Sequence, residues 1–171
     1  RSHKVITSDN GLVTITGGKW TSYRLMAEDT VDKAIEVCGL PKRKCVTKKF
    51  RIHGYRKNPD LTDHMYVYGS DEPKILRLIE QEPALGEKLS QKFGYTLAEV
   101  VWAVREEMAI TLEDVLARRV RMLFVDAREA MAAAPKAAAV MARELGRDQA
   151  WIDEQVKSFT DLAKNYIFEQ K

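Results

Sequence analysis

The chain has only two cysteines, Cys38 and Cys45, and three scattered histidines, His3, His53 and His64. None of them forms a paired ligand motif, so no metal site is expected. The two thiols read as reduced structural groups, which suits a reducing compartment. No run approaches the roughly 18 apolar residues of a membrane span, and no charged-then-apolar leader opens the chain, which begins at Arg1. The dinucleotide fingerprint G-x-G-x-x-G is absent. A phosphate-binding P-loop fails twice: Trp20 stands where a hydroxyl should follow Lys19, and Val13 stands where the first glycine should be. Acidic residues are missing between Val37 and Pro59, where Lys42, Arg43, Lys44, Lys48, Lys49, Arg51, Arg56 and Lys57 occur. The net charge of +3 therefore divides unevenly. Residues 1–60 carry 13 Lys and Arg against 6 Asp and Glu, and residues 61–171 carry 15 against 19. A basic run of this kind can contact nucleic acid or an anionic membrane surface, or serve as a solvated connector. No groove-reading helix accompanies it, so nucleic acid is not an expected partner.

At 171 residues, 45% apolar and 31% charged, the chain can bury one good core and carry an appended piece. The stretch around which it is organised runs from Gly11 to Asp29. Leu12, Thr14 and Thr16 face one way and Val13 and Ile15 the other, the alternation of a short strand. Gly17 and Gly18 end it. From Thr21 or Ser22 the period becomes helical, and the helix should close near Cys38 with Gly39 at the position after the cap and Pro41 beyond. Glycines allow close approach to backbone, and the first N–H groups of a helix lack internal partners, so the turn suits an anion or a polarised oxygen, with Lys19 adding a charge. Taken bare, Gly-Gly-Lys is equally the signature of a purely structural tight turn.

Upstream, Lys4–Thr7 is a candidate strand, and Ser8 to Gly11 a turn that would pair it with the next strand as a hairpin. Val46, Lys48, Phe50 and Ile52 alternate weakly within Cys45–His53, as one short strand or an extended crossing. Residues 40–60 are the candidate domain boundary, dividing 1–45 from 46–171. Beyond residue 70 every periodic segment is helical. Ser70 to Pro73 reads as a cap for a helix carrying Ile75, Leu76 and Ile79, and Pro83 starts a short one with Leu85 and Leu89. Thr96 to Glu99 is a capping box before the stripe Leu97, Val100, Val101, Val104 and Met108, and Thr111 to Asp114 is a near copy before Leu112, Val115, Leu116 and Val120. Residues 126–145 are alanine-rich, with Pro135 expected to end or restart the helix and Gly146 to stop it. Asp148 caps a last helix with the stripe Ile152, Val156, Phe159, Ala163 and Tyr166. The fold class is mainly α: a bundle of about five or six helices preceded by a short hairpin and helix.

Gly17-Gly-Lys-Trp-Thr-Ser-Tyr-Arg-Leu-Met-Ala-Glu-Asp29, preceded by Gly11-Leu-Val-Thr-Ile-Thr16, closely resembles the last strand, turn and helix of the flavin domain in FAD-dependent glycerol-3-phosphate dehydrogenases. Glu99-Val-Val-Trp-Ala-Val-Arg-Glu-Glu-Met-Ala-Ile-Thr-Leu-Glu-Asp-Val-Leu-Ala-Arg-Arg-Val-Arg121 looks like the carboxy-terminal helical domain of the same family, and Ala142-Arg-Glu-Leu-Gly146 continues it in order. The resemblance implies that residues 1–45 end an FAD-binding domain and 46–171 form a helical cap. It implies FAD as cofactor of a longer protein but not of this piece alone, with glycerol 3-phosphate oxidised to dihydroxyacetone phosphate and electrons passed to quinone. By the same resemblance Gly17, Gly18 and the amides at Trp20 and Thr21 lie against flavin, and Lys19 and Arg1 lie near the reacting substrate. The implied partners are the amino-terminal FAD domain and the membrane, contacted peripherally, in a cytoplasmic enzyme held on the cytoplasmic membrane. Arg118 and Arg119 either complement a helix end or meet that other domain. The alternative is a free-standing helical module whose basic arm binds an acidic partner or nucleic acid.

Overall fold

The computed structural model describes residues 2–168, and the chain divides into two compact units, one running to His53 and the other beginning at Gly54. In the first, strands β1 (His3–Thr7) and β2 (Val13–Gly17) form the expected antiparallel hairpin, with His3 opposite Gly17 and Thr7 opposite Val13. The alternation works as read: Val13 and Ile15 are half-buried, and Leu12, Thr14 and Thr16 are exposed. The connecting turn is closed by Ser8 N–H to the Leu12 carbonyl at 2.9 Å and by Leu12 N–H to Asn10 Oδ1 at 3.1 Å. A single 3-10 turn, Trp20–Ser22, leads into helix α1 (Tyr23–Val37). It ends where the glycine predicts, with Leu40 N–H bonded to the Ile35 carbonyl and Gly39 N–H to that of Glu36.

Of the two readings left open for Cys45–His53, the strand is not formed. A turn closed by Lys49 N–H on the Val46 carbonyl breaks the alternation, and Val46, Phe50 and Ile52 are each about two-thirds exposed. With no adjacent strand edge to pair with, four weakly alternating residues do not make a ladder.

The second unit is helical and holds every residue of the hydrophobic core cluster. Its first element is a pair of 3-10 turns over His64–Asp71, kinked at Gly69. That glycine has φ 53°, and a Cβ there would fall 1.8 Å from the Gly54 carbonyl oxygen, so the chain can cross itself only over a bare Cα. Helix α2 (Glu72–Gln81) starts at Asp71 rather than Ser70, and Asp71 pairs with Lys74 at 2.8 Å instead of capping. Ile75 is fully buried, but Leu76 is 43% exposed, one position off the inward stripe. A short turn, Pro83–Gly86, places Leu85 in the core.

Helix α3 (Leu97–Glu106) begins with the predicted capping box: Thr96 N–H donates to Glu99 Oε2 at 2.7 Å. Val100, Val101 and Ala103 are fully buried. Met108 is not part of that stripe. The helix stops two residues earlier, Met108 takes a left-handed φ of 57°, and its side chain is 85% exposed. In the second cap Asp114 replaces the glutamate, accepting from the N–H groups of Ile110 and Thr111 and from Thr111 Oγ1. The chain then takes a π-helical turn, Asp114–Arg119, closed by Val120 N–H on the Val115 carbonyl, which brings Val115, Leu116 and Val120 inward together.

After the short helix α4 (Met122–Val125), α5 (Ala127–Leu145) runs unbroken through Pro135. The proline deprives the Met131 carbonyl of its helical donor, a cost of about 3 kcal/mol in a free helix. Here Ala133, Ala134, Ala137 and Ala138 are buried on both sides of it, and that packing carries the helix through. Gly146 ends α5 in the left-handed conformation. Helix α6 (Gln149–Lys164) is capped by Asp148 and packs on α5 through Phe159 and Ala163. Tyr166 lies past its end, half exposed, edge-on to Phe124. The small alanine side chains let α5 approach both α3 and α6, so the bundle packs around it. Among the described residues no helix is long and apolar enough to cross a membrane.

Candidate functional site

At the end of β2, Gly17 (φ 79°) and Gly18 (φ 83°) both take conformations that disfavour any side chain. The space is closed as well. A Cβ on Gly18 would sit 2.7 Å from Met26 Sδ, 3.1 Å from Met26 Cε and 3.3 Å from His3 Cβ. Lys19 then returns to extended backbone (φ −127°, ψ 151°), and Ser22 fixes the turn over it. Its N–H and Oγ both donate to the Lys19 carbonyl, at 2.9 and 2.8 Å, and Oγ accepts from Lys19 N–H at 3.3 Å. Trp20 and Thr21 open the helix, so their N–H groups precede any internal acceptor.

The side chains of Lys19, Trp20 and Thr21 all face solvent; Trp20 is 89% exposed, its ring tilted against Tyr23 at 6.1 Å. The structure thus brings Gly17, Gly18, Lys19, Trp20 and Thr21 together at one helix start. Arg1, the remaining candidate, lies outside the described residues. A bare-backbone cradle, unpartnered N–H groups and one ammonium fit an anion or a polarised oxygen.

Sequence reasoning missed two polar links. Beneath the glycine turn, His3 Nε2 meets Asp29 Oδ2 at 2.6 Å, joining β1 to α1. In the second unit Glu99, 1% exposed, accepts from Tyr68 Oη at 3.0 Å and His64 Nε2 at 3.1 Å in addition to its cap bonds. The Glu99 hydrogen bond, outweighing burial, raises the His64 pKa, and burial above all pushes the Tyr68 phenol up. Nothing local announces either link, since the partners lie 26, 31 and 35 residues apart. Arg118 is held by Asp114 at 2.9 Å and Glu113 at 2.5 Å, and Arg119 donates to the carbonyls of Glu107 and Asp114. Both guanidiniums therefore serve the π-turn's own neighbourhood.

An apolar hollow of about 690 Å³ runs between α1 and residues 43–52, lined by Tyr23, Ala27, Val31, Ile35, Val46 and Phe50. It lies on the helix flank rather than at the glycine turn. Among the described residues no cluster of His, Cys, Asp and Glu is suited to a metal ion.

Residues 14–152 match the family model for the C-terminal domain of alpha-glycerophosphate oxidase. The chain belongs to this family. Its curated relatives include a protein of Caenorhabditis elegans named "Probable glycerol-3-phosphate dehydrogenase, mitochondrial", 34% identical over 98% of this chain and 25% of the relative. The mitochondrial glycerol-3-phosphate dehydrogenases of Mesocricetus auratus and Schizosaccharomyces pombe are each 33% identical over 98% of this chain, covering 25% and 31% of their own lengths. The chain thus spans about a quarter to a third of these relatives. Of the two ordered stretches that carried the resemblance, Gly17–Asp29 and Glu99–Arg121 both fall within the matched residues.

Proposed function

We propose that this chain is the carboxy-terminal part of an FAD-dependent glycerol-3-phosphate dehydrogenase, with residues 1–45 completing the FAD-binding domain and residues 46–171 forming its helical cap. The observation that carries the reading is the glycine turn, in which two positive-φ glycines are followed directly by the exposed Lys19 and by the open N–H groups of Trp20 and Thr21 ahead of α1. FAD, when bound, would take up the hydride equivalent lost from the secondary alcohol carbon of glycerol 3-phosphate. Gly17 and Gly18 would let the backbone come close to the ring, and the amides of Trp20 and Thr21 would stabilise negative charge developing at its edge. Lys19 would hold the substrate's phosphate or the oxygen becoming a carbonyl. Arg1 is assigned beside it on the resemblance alone.

In this reading the full-length protein delivers electrons to quinone at a membrane surface that it meets peripherally, the cytoplasmic membrane in the expectation from sequence; the matched relatives are mitochondrial. Lys19→Ala in the full-length protein tests it. One lost charge-assisted contact is worth about 1.5–3 kcal/mol, so kcat/KM should fall roughly tenfold to a hundredfold. Folding should be unaffected, because the side chain is exposed. Gly18→Ala should instead impair flavin retention. Wild-type kinetics of Lys19→Ala with bound FAD would remove the lysine from the active site.

A further inference from the structure

Lys19 has no packing of its own to hold it in place. Its position is inherited from the angle at which β2 delivers Gly17 and Gly18 to the helix start, and that angle depends on how the hairpin is fastened to α1. Apolar contact supplies part of the fastening: Val5, Val13 and Ile15 are only half-buried against the helix, and none of residues 2–53 is fully buried. A soft apolar interface of this kind can slide. Among the described residues, one directional link crosses it at the end nearest the turn. His3 stands opposite Gly17 in the β register, its Cβ underlies Gly18, and its side chain, 16% exposed, reaches Asp29 on α1 at 2.6 Å.

We infer that His3 and Asp29 are positioning residues for the glycine turn, a brace that sets where Lys19 points. The inference rests on the reading of that turn as the place where flavin and substrate meet. Neither residue is a catalytic group. The imidazole is spent on Asp29 and is only 16% exposed, whereas Lys19 faces solvent. The geometry also explains the residue types. A carboxylate on α1 needs a planar donor that can cross from a strand without filling the space that Met26 Sδ occupies beneath Gly18. Imidazole offers a single N–H at that reach. A displacement of about 1 Å at a positioned group can cost up to about a hundredfold in rate, so a modest loosening of the brace would be visible in kinetics before it is visible in folding.

The test uses the full-length protein loaded with FAD. Asp29→Ala and His3→Ala should each lower kcat/KM about fivefold to tenfold, about 1–1.4 kcal/mol at 1.36 kcal/mol per factor of ten, with unchanged thermal midpoint and flavin content. His3→Ala keeps the Cβ beneath Gly18 and removes only the link. Asp29→Asn, whose amide oxygen still accepts from the imidazole N–H, should recover to within about twofold of wild type. The deciding measurement is a double-mutant cycle. On a Lys19→Ala background, Asp29→Ala should cost less than about twofold more, because the group it positions is already gone. Fully additive losses, or wild-type kinetics in Asp29→Ala while Lys19→Ala is impaired, would overturn the inference and leave the active-site reading standing. If Lys19→Ala is itself wild type, the reading and the inference fall together.

Discussion

Glu99→Ala should be among the most damaging single changes in the helical unit. The Glu99 side chain is fully buried, and its two oxygens accept from Thr96 N–H, Thr96 Oγ1, His64 Nε2 and Tyr68 Oη. Alanine would remove the N-terminal cap bond, worth about 1 kcal/mol, and strand two further donors, each costing about 1–3 kcal/mol when left without a partner. The expected loss is about 3–7 kcal/mol, or roughly 10–30 °C in midpoint for a domain of this size. Glu99→Gln keeps the shape and one acceptor and should lose less than half as much. The same cluster sets a pH dependence. His64 is raised by its bond to Glu99, with Asp63 adding to the rise and burial and Lys88 opposing it. A group whose folded pKa is raised contributes stability that is fully present below its unfolded value, near 6.5, and is lost as pH rises through the folded value. Stability should therefore fall as pH rises above about 6.5 in wild type, and this portion of the slope should vanish in His64→Gln. Urea unfolding followed at 222 nm across that range reads both quantities. A loss below about 1 kcal/mol for Glu99→Ala, or a slope in His64→Gln equal to wild type, would refute the account.

The isolated chain should be colourless and inactive with glycerol 3-phosphate, since only one edge of the proposed flavin site is encoded; flavin absorbance that survives desalting, or substrate-dependent dye reduction, would contradict this. Limited proteolysis with trypsin should cut first between Leu40 and Pro59, where the basic residues lie in irregular, largely exposed chain, and only later in the helical unit; early cuts within residues 97–120 would show the opposite order of stability. Ala134→Leu should lower stability by about 1–3 kcal/mol or more by wedging a side chain into a fully buried site on α5, and an unchanged urea midpoint would mean that the bundle has slack there.

Local devices were readable and distant ones were not. The Thr96 box, the Asp148 cap and the Gly39 and Gly146 stops depend on residues within a turn or so of one another, so their chemistry is spelled out in adjacent letters. Stripes were readable in their middles and failed at their ends. Met108 and Tyr166 keep the helical spacing, but α3 and α6 have already stopped, and a periodic pattern does not mark where hydrogen bonding ceases. Pro135 misled for the reverse reason, since the breaker was visible and the flanking alanine packing that overrides it was not. At the candidate site the backbone cradle could be read because glycine pairs between strand and helix periods are rare and physically constrained. The brace beneath it could not, because the imidazole and its carboxylate meet only after the hairpin and helix have folded together.

This contrast also says what kind of object the first unit is. Every member of the core cluster lies in the second unit, whereas the first, over its described residues 2–53, buries no side chain fully and leaves Trp20, Val31, Val46, Phe50 and Ile52 more than half exposed. A two-stranded hairpin with one helix is marginal by itself, because backbone ordering costs about 1–2 kcal/mol per residue and half-buried apolar contacts return little of it. The unit nevertheless carries a complete set of local specifications: a paired register, a closed turn, two glycines without room for a side chain, and a helix stop made by two carbonyl bonds. Conformation is specified in full while stabilising burial is missing. That combination is expected of a segment whose apolar faces are covered by other chain, and the whole chain, both units together, spans only about a quarter to a third of the matched relatives' length.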